Sequence, residues 1–250
     1  QNAYVRTDSY FDNSPLASSG LPSKNELELL NVWKDEIPAE VFTETFTPPI
    51  TDGSGNDRKN LLKAKEILEK EGWFVEDGKL VKDGKEFKFE FLIVSPSDEK
   101  IALAYQSNLK KLGITMDVRT VDSSQYQERL LSYDFDMIKR YWGVSLSPGN
   151  EQQFYWGSEV GQKDGSRNYP GINSPVVDAL IEKLISATNR EELTTAIHAL
   201  DRVLLWGHYV VPLYHSNKDR IAYWDFFEYP DEIPLYGIVI ESWWINKDKQ

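Results

Sequence analysis

Apolar residues recur every three to four positions in several segments, the spacing of one face of an α-helix. This spacing predicts long helices over residues 57–72 and 98–112, and two more that begin at Ser174 and Thr188. Asn56 or Asp57 can cap the first of them, and residues 188–191 have the pattern of a capping box. Shorter helices are predicted over residues 24–33, 123–133 and 150–156, with Ser123 as the cap of the second.

Alternating apolar and polar positions predict strands between these helices. Residues 73–94 contain two hairpin turns, Asp77-Gly78 and Asp83-Gly84, and single strands are predicted over residues 114–121 and 135–142. Strands that alternate with helices are typical of a partly parallel sheet, so the sequence predicts an α/β fold. Three further strands are predicted near the end of the chain, over residues 209–214, 221–227 and 238–245.

Composition narrows the classes of protein that fit. The 250 residues are 40% apolar and 27% charged, which is ordinary for one large domain or two modest ones. The net charge of −12 argues against nucleic acid as a partner, because phosphate binding requires an excess of Lys and Arg. No apolar run reaches the roughly 18 residues that a membrane helix requires. The absence of cysteine excludes thiol catalysis, disulfides and zinc–thiolate sites.

Enzyme and cofactor motifs are weak in this sequence. The three histidines, His198, His208 and His215, have no metal-binding spacing, so no metal or cofactor is predicted. Residues 143–147 resemble a nucleophile elbow, but Ser147 stands where the elbow requires glycine. No pair of carboxylates stands out among the 40 acidic residues. None of these motifs therefore gives positive support to an enzyme.

One long polar segment, residues 143–173, is the best candidate for a functional site. It follows the predicted strand that ends at Trp142, and ligands of open α/β sheets bind beyond the carboxyl ends of the strands. Its mixture of aromatic rings, amides, hydroxyls and an arginine suits a neutral polar ligand or a peptide backbone. The candidate ligand-binding residues in and beside this segment are Arg140, Trp142, Ser145, Ser147, Asn150, Arg167, Asn168 and Tyr169.

Short sequence motifs occur in a specific order along nearly the whole chain. They include RTDSYF at 6–11, LASSGLP at 16–22, TDGSGN at 51–56, AKEIL at 64–68, RTVD at 119–122, FDMI at 135–138, WG at 142–143, SLSPGNEQ at 145–152, SRN at 166–168, PVVD at 175–178 and ALDRVLLW at 199–206. In this order and spacing they resemble the family 5 extracellular solute-binding proteins, which serve ABC importers of peptides. The branch they resemble most is the Yej type, linked to oligopeptide and microcin C uptake.

The resemblance implies a receptor that is not an enzyme, with two lobes that close around a peptide by a hinge motion. It implies that this chain is an α/β C-terminal lobe of a two-lobed periplasmic binding protein of type II, similar to cluster C. Residues 1–212 would form most of the second lobe. Residues 213–250 would form the crossover and the segment returning to the first lobe, whose N-terminal remainder is missing.

The resemblance also implies partners and further contacts. The expected partners are a peptide ligand, the membrane permease of an ABC importer and the missing N-terminal portion of the same protein, in the periplasm. Tyr214 and His215, near the crossover, are added to the candidate ligand contacts.

One position departs from the family pattern. Many peptide binders of the family have a Trp-x-Ala-Asp motif whose aspartate pairs with the α-amine of the ligand, and here Ser145 occupies that place. We expect either a ligand with a blocked or neutral N-terminus, or an amine bound by another acid such as Glu151.

Two other functions stay open from the sequence. The richness in aromatic residues also suits a non-peptide solute such as an oligosaccharide, bound within the same fold. A hydrolase would use Ser145 or a pair of carboxylates.

Overall fold

The structure is a computed structural model that describes residues 4–55, 57–161, 163–234 and 237–249. The chain divides into two compact units. The large unit is Ser9–Val210, and the small unit combines the residues up to Asp8 with those from Val211 onward. Asn56, one of the two predicted caps of a helix, lies outside the described residues.

All the helices that the apolar spacing predicts are present, together with one short helix, α2, that it does not predict. The helices are α1 (Lys24–Leu30), α2 (Glu40–Thr43), α3 (Arg58–Lys70), α4 (Pro96–Lys110), α5 (Ser123–Leu131), α6 (Glu151–Trp156), α7 (Pro175–Ile185) and α8 (Arg190–Trp206). Short 3₁₀ turns occupy Asn31–Trp33, Ile240–Ser242 and Lys247–Lys249. Within the described part of the chain, no helix is both long and apolar enough to cross a membrane.

The strands are short and form four separate sheets. In chain order they are β1 (Val5–Arg6), β2 (Phe74–Glu76), β3 (Lys79–Lys82), β4 (Lys85–Glu86), β5 (Lys88–Ile93), β6 (Thr115–Thr120), β7 (Met137–Ile138), β8 (Tyr214–His215), β9 (Phe227–Glu228) and β10 (Trp244–Ile245).

A parallel three-stranded sheet in the order β6-β5-β7 confirms the predicted α/β unit. Phe91 of β5 pairs with Val118 on one side and with Met137 on the other. Helix α4 covers this sheet, and its buried Ala102 and Leu109 belong to the same apolar cluster as Phe91. Burying apolar side chains between helix and sheet removes them from water, which is the main driving force for folding here.

The two predicted hairpin turns are also confirmed. Strands β2, β3 and β4 are antiparallel neighbours, and the turns between them are Asp77-Gly78 and Asp83-Gly84. All four residues have positive φ, between 49° and 79°. Two successive residues with positive φ make the turn that matches the twist of a hairpin, and Asp-Gly adopts it readily.

A second apolar cluster lies among the helices. Val177 and Leu180 of α7 are buried against Ile197 and Leu200 of α8, and the same cluster contains Trp156 at the end of α6. The apolar stripes that the sequence predicted for α7 and α8 therefore face each other.

The predicted strand over residues 135–142 is wrong in length. Strand β7 spans two residues, and its ladder with β5 ends where Leu92 pairs with Ile138. The next carbonyl, that of Lys139, accepts a hydrogen bond from the Tyr126 hydroxyl at 3.3 Å. The ladder therefore ends four residues earlier than the alternation predicts, and beyond it the Lys139 carbonyl is bonded to a side chain.

Two predicted helix caps are displaced by one residue. Asp122, rather than Ser123, caps α5, because its carboxylate accepts the N–H groups of Ser124 and Gln125 at 2.8 and 2.9 Å. The cap of α8 is Asn189 rather than Thr188: its side chain accepts the Glu192 N–H at 3.0 Å, while the Glu192 carboxylate accepts the Thr188 N–H at 2.9 Å. A carboxylate accepts two N–H groups at once, so Asp122 satisfies more of the free helix end than a serine does.

The three strands predicted after residue 208 are present but much shorter, because β8, β9 and β10 overlap only the last residues of the predicted ranges. They form two short antiparallel pairs, β1 with β8 and β9 with β10. Pro212 lacks the N–H that a strand donates, which fits the late start of β8.

Two consecutive residues of α8 hold the segment that precedes α1. Asp201 is fully buried, and its carboxylate accepts hydrogen bonds from the Ser9 hydroxyl, the Tyr10 N–H, and both the N–H and the hydroxyl of Ser18, at 2.7 to 2.9 Å. Burial raises the pKa of Asp201, and these donors oppose that shift.

Arg202 hydrogen-bonds the part of this segment that follows Ser18. Its guanidinium donates to the carbonyls of Ser19 and Gly20 at 2.8 and 2.7 Å and to the carboxylate of Glu26 at 2.6 Å. Both charged groups of the Arg202–Glu26 pair are 5% exposed, so neither can be hydrated if the other is lost.

We predict a dependence of stability on pH that originates at Glu26. Burial would raise the pKa of Glu26, but hydrogen bonds from His198, Arg202 and Ser23 lower it to about 2. A carboxyl whose folded pKa is depressed stabilises the fold above its unfolded pKa, near 4.5, and loses that contribution as the pH falls toward 2. Urea unfolding of the wild type should therefore weaken between pH 5 and pH 2 more than that of Glu26→Gln.

The control is Glu28→Gln, which changes an exposed carboxylate on the same helix. It should retain the wild-type dependence on pH. An unchanged slope in Glu26→Gln would contradict the assignment.

Candidate functional site

The predicted site residues of the large unit lie in two loops. Arg140, Trp142, Ser145 and Ser147 follow β7, and Asn150 immediately precedes α6. Arg167, Asn168 and Tyr169 lie in the loop between α6 and α7.

Trp142 links the two loops. Its indole N–H donates to the carbonyl of Arg167 at 3.2 Å. Its ring lies 4.8 Å from the ring of Trp156 and 6.2 Å from that of Tyr169, measured between centroids. The structure thus brings Trp142 next to Arg167 and Tyr169, which follow it by more than twenty residues in sequence.

Arg140 lies against the face of Tyr169. The central carbon of its guanidinium is 5.1 Å from the centroid of the ring, within the range of a cation–π interaction. One of its nitrogens is 3.4 Å from the Tyr169 hydroxyl, a long hydrogen bond. Burial raises the pKa of Tyr126, and the positive charge of Arg140 nearby opposes that shift.

Ser145, Ser147 and Asn150 present exposed polar groups. The Ser145 hydroxyl accepts the Ser147 N–H at 3.2 Å, and the Asn150 side chain does not cap α6. Ser145 has no histidine partner among the described residues, so the geometry adds nothing to the hydrolase alternative.

Glu151, the acid expected to bind an amine if Ser145 does not, is already engaged. Its two carboxylate oxygens accept the Gly149 N–H at 3.0 and 3.1 Å, and one of them also accepts the Gln152 amide at 3.3 Å. The fully buried Gln152 in turn accepts the indole N–H of Trp156 at 3.0 Å. The acid therefore orders the start of α6.

The expectation that Asn168 contacts a ligand does not fit its position. Its side chain is fully buried, donates to the carbonyls of Gly157 and Ile172 at 3.0 and 2.8 Å, and accepts the Ile172 N–H at 2.8 Å. A Cβ on Gly161 would lie 2.7 Å from the Asn168 amide nitrogen, so the loop closes tightly around it. Asn168 positions the loop that carries Arg167 and Tyr169.

Tyr133 is a residue of the site that the sequence analysis missed. Its φ of 55° is a left-handed conformation that a bulky residue rarely adopts. Its hydroxyl is hydrogen-bonded to the hydroxyl of Ser166, and its ring lies 6.2 Å from that of Tyr169. No pattern of residue types announces such a conformation, so the sequence offered no signal for it.

Tyr214 and His215 belong to the small unit. They form β8, where His215 pairs with Val5 and its imidazole Nδ1 lies 3.2 Å from the Thr7 hydroxyl. The ring of Tyr214 packs against that of Tyr4 at 4.7 Å.

Two open cavities among the described residues contain no predicted site residue. One of about 660 Å³ lies in the large unit and is lined by Ser123, Ser124, Gln127, Glu128, Leu131, Ser132 and Asp164. The other, of about 830 Å³, lies in the small unit among residues 223–231, Trp244 and Lys249. Across the described ranges, no three His, Asp or Glu side chains are grouped as metal ligands.

Comparison with known proteins shows which family matches this chain and how much of its relatives it covers. The sequence model of the bacterial extracellular solute-binding proteins, family 5, middle region, matches residues 31–164. Uncharacterized protein y4wM of Sinorhizobium fredii is 49% identical over 97% of this chain and 37% of its own length. The probable peptide-binding protein YejA of Agrobacterium fabrum is 42% identical over 98% of this chain and 40% of its own length. The chain thus spans about 40% of the length of these relatives.

Solved structures share the fold. The oligopeptide-binding protein AppA of Bacillus subtilis, in complex with a nonapeptide, has a TM-score of 0.59 and 23% identity over 89% of this chain and 45% of its own. A periplasmic oligopeptide-binding protein of Thermotoga maritima bound to mannohexaose has a TM-score of 0.60 and 19% identity over 87% of this chain and 38% of its own. The predicted fold class, part of a type II periplasmic binding protein, is confirmed.

We predict that Asn168 and Asn150 differ sharply in their effect on stability. Asn168→Ala leaves two carbonyls and one N–H without partners in a buried loop, and should lower the free energy of unfolding by about 3 kcal/mol. Asn150→Ala removes an exposed side chain and should change it by less than about 0.5 kcal/mol. Denaturant unfolding of both variants measures the difference, and equal stabilities would refute the positioning role of Asn168.

Proposed function

The chain belongs to the bacterial extracellular solute-binding proteins of family 5, and on that premise we propose that it binds peptides for delivery to an ABC importer. The observation that carries the proposal is the bridge from Trp142 to Arg167, which joins two loops into one surface with aromatic faces and exposed polar groups. The name of the 42% identical relative, a probable peptide-binding protein, supports peptide as the ligand class.

Polar groups and aromatic rings of this surface would bind different parts of a peptide. Ser145, Ser147 and Asn150 offer donors and acceptors that match the N–H and C=O groups of a peptide backbone. The faces of Trp142 and Tyr169 offer contacts for side chains that do not depend on one residue type. Asn168 is buried beneath this surface and positions the loop that carries Arg167 and Tyr169. Tyr214 and His215 are proposed as further ligand contacts from the small unit.

We assign the large unit to the second lobe, and the small unit to the crossover and the segment that returns to the first lobe. The division at Val211, close to the boundary predicted between residues 212 and 213, supports this assignment, although the first residues up to Asp8 group with the returning segment. Because the chain spans about 40% of the length of its relatives, the rest of such a protein would supply the remainder of the first lobe.

Hinge closure then couples binding to transport. A ligand shifts the population of closed receptors only as far as it binds the closed form more tightly than the open one. The closed form would be recognised by the permease of the importer. Membership of an extracellular family supports a location outside the cytoplasmic membrane, and the proposed compartment is the periplasm.

The N-terminus of the ligand is proposed to be blocked or neutral. Ser145 replaces the acid that pairs with an amine in the family pattern, and the carboxylate of Glu151 is occupied by Gly149 and Gln152. Oligopeptides and microcin C both remain within the proposed ligand class.

A sugar is the second candidate ligand. It is favoured by the mannohexaose bound to the Thermotoga maritima neighbour and by the exposed faces of aromatic residues here. Competition between mannohexaose and a pentapeptide for the same protein separates the two, since the ligand that displaces the other at lower concentration is the better fit.

We predict that peptide affinity depends on Trp142. Trp142→Ala removes both the bridge to Arg167 and the aromatic face, and should weaken the binding of N-formyl-pentaalanine at least about tenfold in isothermal titration calorimetry. Trp142→Phe keeps a ring without the N–H and should fall between the alanine variant and the wild type.

The matched control is Trp224→Ala, which removes a tryptophan that is 73% exposed in the small unit. Its affinity should equal that of the wild type. Unchanged affinity in both Trp142 variants would place the peptide site elsewhere.

A further inference from the structure

An arginine of α8 reaches the polar loop that follows β7. Arg190 is the first residue of α8, and one nitrogen of its guanidinium donates to the carbonyl of Leu146 at 2.5 Å. The two residues are 44 positions apart in sequence, and Leu146 lies between the exposed Ser145 and Ser147. Arg190 therefore joins a helix of the large unit to the part of the loop that carries two candidate ligand contacts.

The first turn of a helix is an unfavourable place for a cation. It carries the positive end of the helix dipole, which acidic side chains stabilise and basic ones do not. Glu191 and Glu192, the next two residues of α8, follow this rule. Arg190 does not, and it is exposed and forms no salt bridge with any residue that the structure describes. The contact that the structure shows for its guanidinium is the hydrogen bond to Leu146.

The peptide unit between Leu146 and Ser147 is held at both ends. Its carbonyl accepts the hydrogen bond from Arg190, and its N–H donates to the Ser145 hydroxyl at 3.2 Å. A peptide unit is planar, so fixing its C=O and its N–H fixes the orientation of the whole plane. In the part of the chain that the structure describes, no backbone group of residues 145–148 bonds to another backbone group. Side chains therefore hold this stretch where no strand or helix does.

This arrangement determines what Ser145 can offer to a ligand. A hydroxyl has one donor hydrogen and two acceptor positions. Because the Ser145 oxygen already accepts the Ser147 N–H, its hydrogen is available to a carbonyl of a ligand. The residues on either side are fixed by packing, since Pro148 is buried and Val144 packs against the apolar cluster among the helices. The orientation of the exposed stretch between them depends on Arg190.

We infer that Arg190 is a positioning residue of the ligand site. It orients the Leu146–Ser147 peptide unit, and through that unit the Ser145 hydroxyl, for a hydrogen bond to the backbone of a peptide. The inference rests on the proposed function, in which Ser145 and Ser147 contact the peptide. Arg190 itself contacts the loop and not the ligand. A loop that is oriented in advance loses less conformational entropy on binding, so the loss of Arg190 should weaken binding rather than folding.

Calorimetric titration of the complete natural protein with N-formyl-pentaalanine tests this role. Arg190→Ala should weaken binding about fivefold, and Arg190→Lys should restore most of the affinity, because one ammonium donor suffices for one carbonyl. The urea midpoint of Arg190→Ala should equal or exceed that of the wild type, because α8 loses a cation from its first turn. The matched control is Lys183→Gln, which removes an exposed cation from α7 and should leave the affinity unchanged.

A double-mutant cycle shows whether Arg190 acts through Ser145. In the Ser145→Ala background, Arg190→Ala should weaken binding by less than about twofold, since the hydroxyl that Arg190 orients is already gone. A second measurement requires no ligand. Exchange of the Ser147 N–H with heavy water, followed by NMR on the unliganded protein, should be faster in Arg190→Ala than in the wild type.

The outcomes separate the positioning role from peptide binding. Equal affinity of Arg190→Ala and the wild type, an undiminished loss in the Ser145→Ala background, or unchanged exchange at Ser147 would overturn the positioning role and leave peptide binding intact. A lowered urea midpoint that accompanies the loss of affinity would make Arg190 a residue of stability alone. Failure of the wild type to bind N-formyl-pentaalanine, with faster exchange at Ser147 in Arg190→Ala, would overturn peptide binding and leave the ordering of the loop by Arg190 intact.

Discussion

The large unit depends on two adjacent side chains of α8 that hold an irregular segment in place. Asp201 and Arg202 are both buried, and between them they fasten a segment that starts at Ser9 and ends at Glu26. That segment has little regular secondary structure of its own before α1, so its backbone groups need partners from elsewhere. A buried carboxylate and a buried guanidinium supply them, and each charge is in turn satisfied by several hydrogen bonds, which is the condition under which burying it is tolerable.

The same principle operates at the candidate site on a smaller scale. The described residues between 157 and 173 have no regular secondary structure. Asn168 hydrogen-bonds three backbone groups within this loop, and Trp142 and Tyr133 bind it from neighbouring segments. The loop is therefore fixed before a ligand arrives. A binding surface that is ordered in advance loses less conformational entropy when the ligand binds. Asn168 can therefore affect binding without contacting the ligand.

Much of the fold could be predicted from the sequence, because its elements follow from local patterns. Apolar periodicity located the helices, and Asp-Gly pairs located the hairpin turns. What failed is the length of strands: alternation alone does not show where a ladder loses its partner, as β7 does after Ile138 and as β8 to β10 do in the small unit. The candidate site residues of the large unit lie in two loops that the structure brings together, but burial separates Asn168 from its exposed neighbours, and the left-handed conformation of Tyr133 has no signature in residue type.

The central claim is that this member of the family binds peptides, and the ligand that accompanies the purified protein tests it most directly. Native mass spectrometry of the protein, purified without denaturation, resolves any bound molecule, and fragmentation of the released molecule identifies its chemical class. The proposed function predicts peptides without a free α-amine. Bound oligosaccharide in the absence of peptide, or an empty protein that peptide mixtures fail to load, would contradict it.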